Sequence, residues 1–153
     1  MSTQPLRILS IGAHPADVFD QSGGTMAHHA ARGDYVAAIR MTGGSRVHDP
    51  VISNQMQKST EIPDAAVLEK LMAERIEVKH QEVRKALDIL GCQDLWYLGA
   101  DDDILLVERD IIKKLARMIR QVKPDVVLTH YPREGDGMVR SHAIAGQIVL
   151  FAL

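Results

Sequence analysis

The 153-residue chain is short of several things, and each shortage narrows what it does. It has one cysteine, Cys92, which excludes an internal disulfide and suits a reducing, cytoplasmic setting. Cys92 lies between Gly91 and the strand-like segment 94–98, so it reads as a packed thiol rather than a nucleophile. Charge of one sign is also lacking: 18 Lys and Arg against 20 Asp and Glu leave a net charge of -2. That balance, with no local basic patch, gives no handle for nucleic acid or anionic lipid. No window approaches the roughly 18 apolar residues of a membrane span. The opening MSTQPL has neither the charged nor the apolar region of a secretory signal. Internal repeats and low-complexity tracts are absent.

What remains is the composition of a globular protein, 46% hydrophobic and 25% charged. A chain of this length forms one domain, expected over 1–153, and buries about two thirds of its unfolded surface. Apolar runs at 6–11, 35–41, 95–98 and 125–130 read as short buried strands. Between them, 23–32, 66–90 and 107–122 show helical spacing, and Gly33, Gly91 and Lys123-Pro124 supply stops. Residues 48–63 hold two prolines and read as a long loop, and Ser141 is placed to cap a last helix at 142–153. Strands alternating with helices predict an α/β, Rossmann-like, three-layer α/β/α fold around a mostly parallel sheet. The sequence ends in the apolar stretch QIVLFAL, from which we expect a chain truncated at its C-terminus and open to self-association.

In such sheets ligands gather at the carboxyl ends of the strands. His14, Asp17, Gly43, Asp101 to Asp103 and the loop after His130 all fall at that edge. His14 and Asp17 are three residues apart in a turn, and His142 opens the last helix. Two histidines, a carboxylate and an open position form a ligand set used by catalytic zinc. Spacing alone leaves an ordinary polar turn as the commoner alternative. His28-His29 is no comparable pair, because adjacent helical residues point about 100° apart. Asp101 to Asp103 reads as a solvated loop.

The stretch AHPADVFDQSGGTMA is similar to the signature of the LmbE-like, PIG-L-type zinc deacetylases, usually Ala-His-Pro-Asp-Asp-x-Glu followed by Gly-Gly-Thr. Thr42-Gly43-Gly44, the Glu82 to Gly91 segment, PDVVLTHYP and SHAIAG resemble later landmarks of that family, so the likeness covers most of the chain. The resemblance implies one zinc per chain held by His14, Asp17 and His142, and about a hundred further residues. It also exposes departures. The family's general base falls on Ala16, its Glu on Phe19, and its intermediate-stabilising histidine on Val139. The groups left to stand in are Asp20, Asp136, Glu134 and His130, with Asp20 and Asp136 the catalytic candidates.

Three activities follow as expectations. The first is a zinc-dependent hydrolase of a linear amide, an N-acyl amino sugar or similar small molecule, using metal-activated water. The second is a hydratase similar to 4-oxalomesaconate hydratase, whose branch also carries His-x-Ala-Asp and whose carboxylate-rich substrate needs arginines. Arg46, Arg133 and Arg140 are placed to be those substrate contacts. The third is a metal-binding pseudoenzyme.

Overall fold

A computed structural model describes residues 4–45, 49–58, 64–102, 106–133 and 140–153. Four strands, β1 (Arg7–Gly12), β2 (Tyr35–Thr42), β3 (Asp94–Ala100) and β4 (Val126–Thr129), form one sheet in the order β3-β2-β1-β4. Every pairing is parallel, with Ile8 opposite both Val36 and Val126. The α/β architecture predicted from the alternation of strands and helices is therefore present.

Strand residues point alternately to the two faces, and the two cores divide accordingly. On one face Leu9, Ile11, Ala37, Ile39 and Met41 pack with Leu115 and Ile119 of α5 (Arg109–Val122) and with Ala145, Ile148 and Val149 of α6 (Ser141–Ala152). On the other, Ile8, Val36 and Ala38 pack with Val18 of α1 (Asp17–Asp20), Met26 of α2 (Gly23–Ala31), and Val83 and Leu87 of α4 (Ala65–Ile89). Each fully buried Leu, Ile or Met contributes roughly 1.5–3 kcal/mol. Cys92 belongs to this second cluster, and burial pushes its thiol up to about 11.

Two local expectations are corrected. The predicted loop at 48–63 contains a helix, α3 (Pro50–Lys58). Asp49 Oδ1 accepts hydrogen bonds from the Val51 and Ile52 amides at 2.9 and 3.3 Å, and Pro50 sits where its missing N–H costs nothing. The Asp49 carboxylate also takes Arg75 Nε at 2.8 Å, tying α3 to α4. At α6 the capping position falls on Arg140 rather than Ser141, without a side-chain cap bond. The helix begins one residue earlier than predicted, so Ser141 is already inside it.

The strand order positions the site. The chain leaves β1 toward β2 and β3, then crosses back to place β4 on the other side of β1. The point where successive connections diverge, between β1 and β4, opens a crevice at the carboxyl ends.

Candidate metal centre

The first turn is built by close approach. A Cβ on Gly12 would lie 2.7 Å from Asp17 Cβ and 2.8 Å from Val18 N, so only glycine lets the chain double back this tightly. The turn closes as the His14 amide donates to Asp17 Oδ2 at 2.7 Å and the Phe19 and Asp20 amides donate to Ala16 O at 3.0 Å. A second turn supports it. Gly44 has φ +70°, and a side chain there would strike Pro15 Cγ at 2.6 Å. Asp102, expected in a solvated loop, is buried instead, and its Oδ1 accepts from Thr42 Oγ1 at 2.6 Å and from the Gly44 amide at 2.8 Å. It pins the second turn beneath the first.

The three predicted ligands meet. His14 Nδ1 is 3.2 Å from Asp17 Oδ2 and 3.2 Å from His142 Nε2, and Asp17 Oδ2 is 3.4 Å from His142 Nε2. Four ligands about 2.1 Å from a tetrahedral ion stand about 3.4 Å apart, so these spacings fit the edges of a zinc coordination shell. Among the described residues this is the group of histidine and carboxylate side chains whose ligand atoms lie within 4.8 Å of one another. Burial pulls the Asp17 carboxyl upward, but the His14 side chain and the His14 amide beside it act the other way. The group is held far below the ordinary carboxylate range, ionised as a metal ligand must be. The His142 side chain is 45% exposed against 7% for His14, so the cluster is closed underneath and open toward solvent.

His130, the imidazole among the possible stand-ins, joins them from the end of β4. It is buried, its Nε2 lies 3.2 Å from Asp17 Oδ2, and its ring stacks on that of His142 at 4.4 Å and 8°. The available signal was its place directly after a strand at the same sheet edge as His14.

A cavity of about 370 Å³ opens on the cluster, with His14, Asp17 and Ala16 on one side and Lys79 and Glu82 of α4 on the other. Asp20 is exposed and lines the same cavity. A second cavity of about 320 Å³ reaches Asp17 from the β1–β4 crevice, past Ser22, Thr129 and His130. Arg133 and Arg140 are exposed on either side of segment 134–139, and neither is among the residues lining the first cavity. Asp136 and Arg46, together with Glu134, Val139 and Asp103, lie outside the described residues. His29, by contrast, is committed elsewhere, with Nδ1 2.6 Å from Asp34 Oδ2.

Comparison with known proteins gives concordant matches. The family model described as PIG-L, GlcNAc-PI de-N-acetylase, matches residues 9–153. An uncharacterized deacetylase, YaiS, of Escherichia coli K12 is 33% identical over 121 residues, covering 78% of this chain and 52% of its own length. The 4-oxalmesaconate hydratase of Pseudomonas putida is 26% identical over 130 residues, covering 85% of this chain and 45% of the hydratase. This chain thus spans about half the length of those relatives. The solved N,N'-diacetylchitobiose deacetylase of Pyrococcus horikoshii superposes with a TM-score of 0.73 at 20% identity, over 95% of this chain and 48% of the deacetylase, and shares the fold.

Proposed function

Because this chain belongs to the PIG-L (GlcNAc-PI de-N-acetylase) family, whose relatives here are deacetylases and a hydratase, we propose that it is a zinc-dependent amide hydrolase acting on an N-acylated small molecule such as an acylated amino sugar. The observation that carries this reading is the convergence of His14, Asp17 and His142 at tetrahedral spacing beside an open cavity. A zinc ion held there supplies a Lewis acid for the substrate carbonyl and lowers the pKa of water toward about 7. Asp17 and His14, fixed in the turn, and His142, from α6, are the residues that would hold it. No helix among the described residues is long and apolar enough to cross a membrane; we take the substrate to be a small molecule and the protein to act in the cytoplasm.

The group that removes the water proton is the point of difference. Ala16 presents a methyl group to the cavity, and a missing positioned base costs about 10²- to 10⁴-fold in rate. We assign that role to Asp20, on the same cavity wall, with Asp136 as the other candidate. The methyl at position 16 also favours a second reading, hydration of an unsaturated keto acid like that of the relative named as 4-oxalmesaconate hydratase. In that case Arg46, Arg133 and Arg140 supply contacts for substrate carboxylates.

The test is zinc content followed by two assays on zinc-loaded protein: acetate release from N-acetylglucosamine derivatives and hydration of an unsaturated keto dicarboxylate. Acetate release that is lost in Asp20→Ala and raised in Ala16→Asp supports the hydrolase. Hydration without acetate release replaces it by the hydratase. Full zinc loading with neither activity, unchanged in Ala16→Asp, contradicts both and leaves a metal-binding protein without turnover.

A further inference from the structure

The three ligands come from two chain segments more than a hundred residues apart. His14 and Asp17 sit on the turn after β1, and His142 sits on α6. Nothing covalent near the site holds these segments in register, and a zinc site tolerates little error in ligand placement. One side chain touches both. The His130 ring accepts the Ala13 amide N–H at Nε2 over 3.1 Å, immediately before His14, and the same nitrogen lies 3.2 Å from Asp17 Oδ2. Its ring face lies flat on His142, 4.4 Å between centroids and 8° from parallel.

The backbone of this residue is engaged as closely as its ring. A Cβ on Gly146 of α6 would meet the His130 carbonyl oxygen at 2.5 Å and Pro132 N at 3.1 Å, so the helix rests directly on this segment. Gln147 Nε2, five residues after His142, donates to Pro132 O at 3.0 Å. Both α6 and the first turn are thus registered against residues 130–132.

We infer that His130 is a positioning residue that locks the His14–Asp17 turn to the His142 helix and so sets the zinc affinity, an inference that rests on the metal reading above. It acts beside the ligand set rather than within it. The lone pair of Nε2 faces the Ala13 N–H, and His130 falls outside the group whose ligand atoms lie within 4.8 Å of one another. Two separable contacts do the work, an acceptor for Ala13 and a flat ring for His142. Removing the acceptor leaves a buried amide unpaired; removing the ring frees the His142 rotamer.

Partners that orient metal ligands are worth about 10- to 100-fold in affinity, and this sets the expected scale. The experiment is zinc competition against a chromophoric chelator for the wild-type chain and for His130→Phe, His130→Gln and His130→Ala. Metal-free unfolding midpoints and the visible bands of the cobalt(II)-substituted proteins are recorded alongside. His130→Phe keeps a ring without the acceptor, and His130→Gln keeps an acceptor without the ring. Each is expected to bind zinc about tenfold more weakly than wild type, and His130→Ala up to about 100-fold more weakly. The cobalt bands should keep their coordination class throughout. His29→Gln, a histidine committed to Asp34, should bind zinc as wild type does.

If the wild type binds zinc and the His130 variants match it, the inference is overturned while the metal reading stands. A change of cobalt coordination class would make His130 a ligand and also overturns it. A wild type that takes up no zinc removes the metal reading and the inference with it. Should His130→Ala not fold, the Phe and Gln variants, close to His in size, still decide the matter.

Discussion

Two aspartates in this molecule contact histidine, at opposite ends of the sheet, and they are built differently. Asp34, just before β2 at the amino edge, has both oxygens taken by short contacts: Oδ1 by the Leu6 amide at 2.9 Å, and Oδ2 by His29 Nδ1 at 2.6 Å with Arg32 Nε at 3.6 Å. Asp17, after β1 at the carboxyl edge, also accepts an amide, that of His14 at 2.7 Å, but its three imidazole nitrogens stand at 3.2, 3.2 and 3.4 Å, none at short range. Charge-assisted hydrogen bonds settle near 2.7–2.9 Å when free to do so. The first cluster has closed on itself as a structural pin. The second is held open by its scaffold at the separation an ion would impose. The difference lies in distance and number of partners, not in residue type.

Zinc titration breaks the comparison most sharply. At a free zinc concentration 100 times the dissociation constant, the folded state gains about 2.7 kcal/mol, and the wild-type melting midpoint should rise accordingly. Asp34→Asn should rise by the same increment from a lower starting point. Asp17→Ala and His142→Ala should show little or no rise, and a full rise in either would remove that residue from the ligand set.

The next largest effect is expected from Gly146→Ala. The new Cβ meets backbone atoms, the His130 carbonyl oxygen at 2.5 Å and Pro132 Cα at 3.1 Å, so α6 must shift. Overpacking of this kind costs about 1–3 kcal/mol, measurable by urea unfolding, and zinc affinity should fall in step because His142 travels with the helix. A stability loss with unchanged affinity would uncouple α6 from the site.

How much of this was legible beforehand follows from the range of each interaction. The strand-helix alternation, the turn after β1 and the placement of His14, Asp17 and His142 at one edge are written in local pattern and in the rules of parallel sheets. The helix α3 was hidden because its two flanking prolines suggested a loop, although Asp49-Pro50 is a helix start. The burial of Asp102 was hidden because its partners, Thr42 and Gly44, are about 60 residues away in sequence. His130 is legible as the imidazole available at this edge, but its contacts with the first turn are not, its partner Ala13 being 117 positions distant.

A smaller effect sharpens the Asp34 side. The His29 contact and the Leu6 amide, against a smaller opposing effect of burial, hold its carboxyl below the ordinary value. An unfolded chain therefore binds the proton first, at about pH 4. The stabilisation is present above that pH and is lost as pH falls toward the lower folded value. The gap in urea midpoint between wild type and Asp34→Asn should shrink as pH falls below about 4, and a constant gap would show that the charge is irrelevant. The smallest change concerns Cys92, whose buried thiol, pushed up to about 11, should resist a thiol reagent at pH 8 until urea unfolds the protein. Rapid modification of the native state would contradict its packing.

X-ray absorption at the zinc edge of the loaded protein reaches the ligand shell itself. We expect one zinc per chain with nitrogen and oxygen neighbours at about 2.0–2.1 Å, outer-shell scattering from two imidazole rings, and one ring lost in His142→Ala. No zinc uptake, a sulfur neighbour, or a spectrum unchanged by that substitution would mean that the cluster at the sheet edge is not a metal centre.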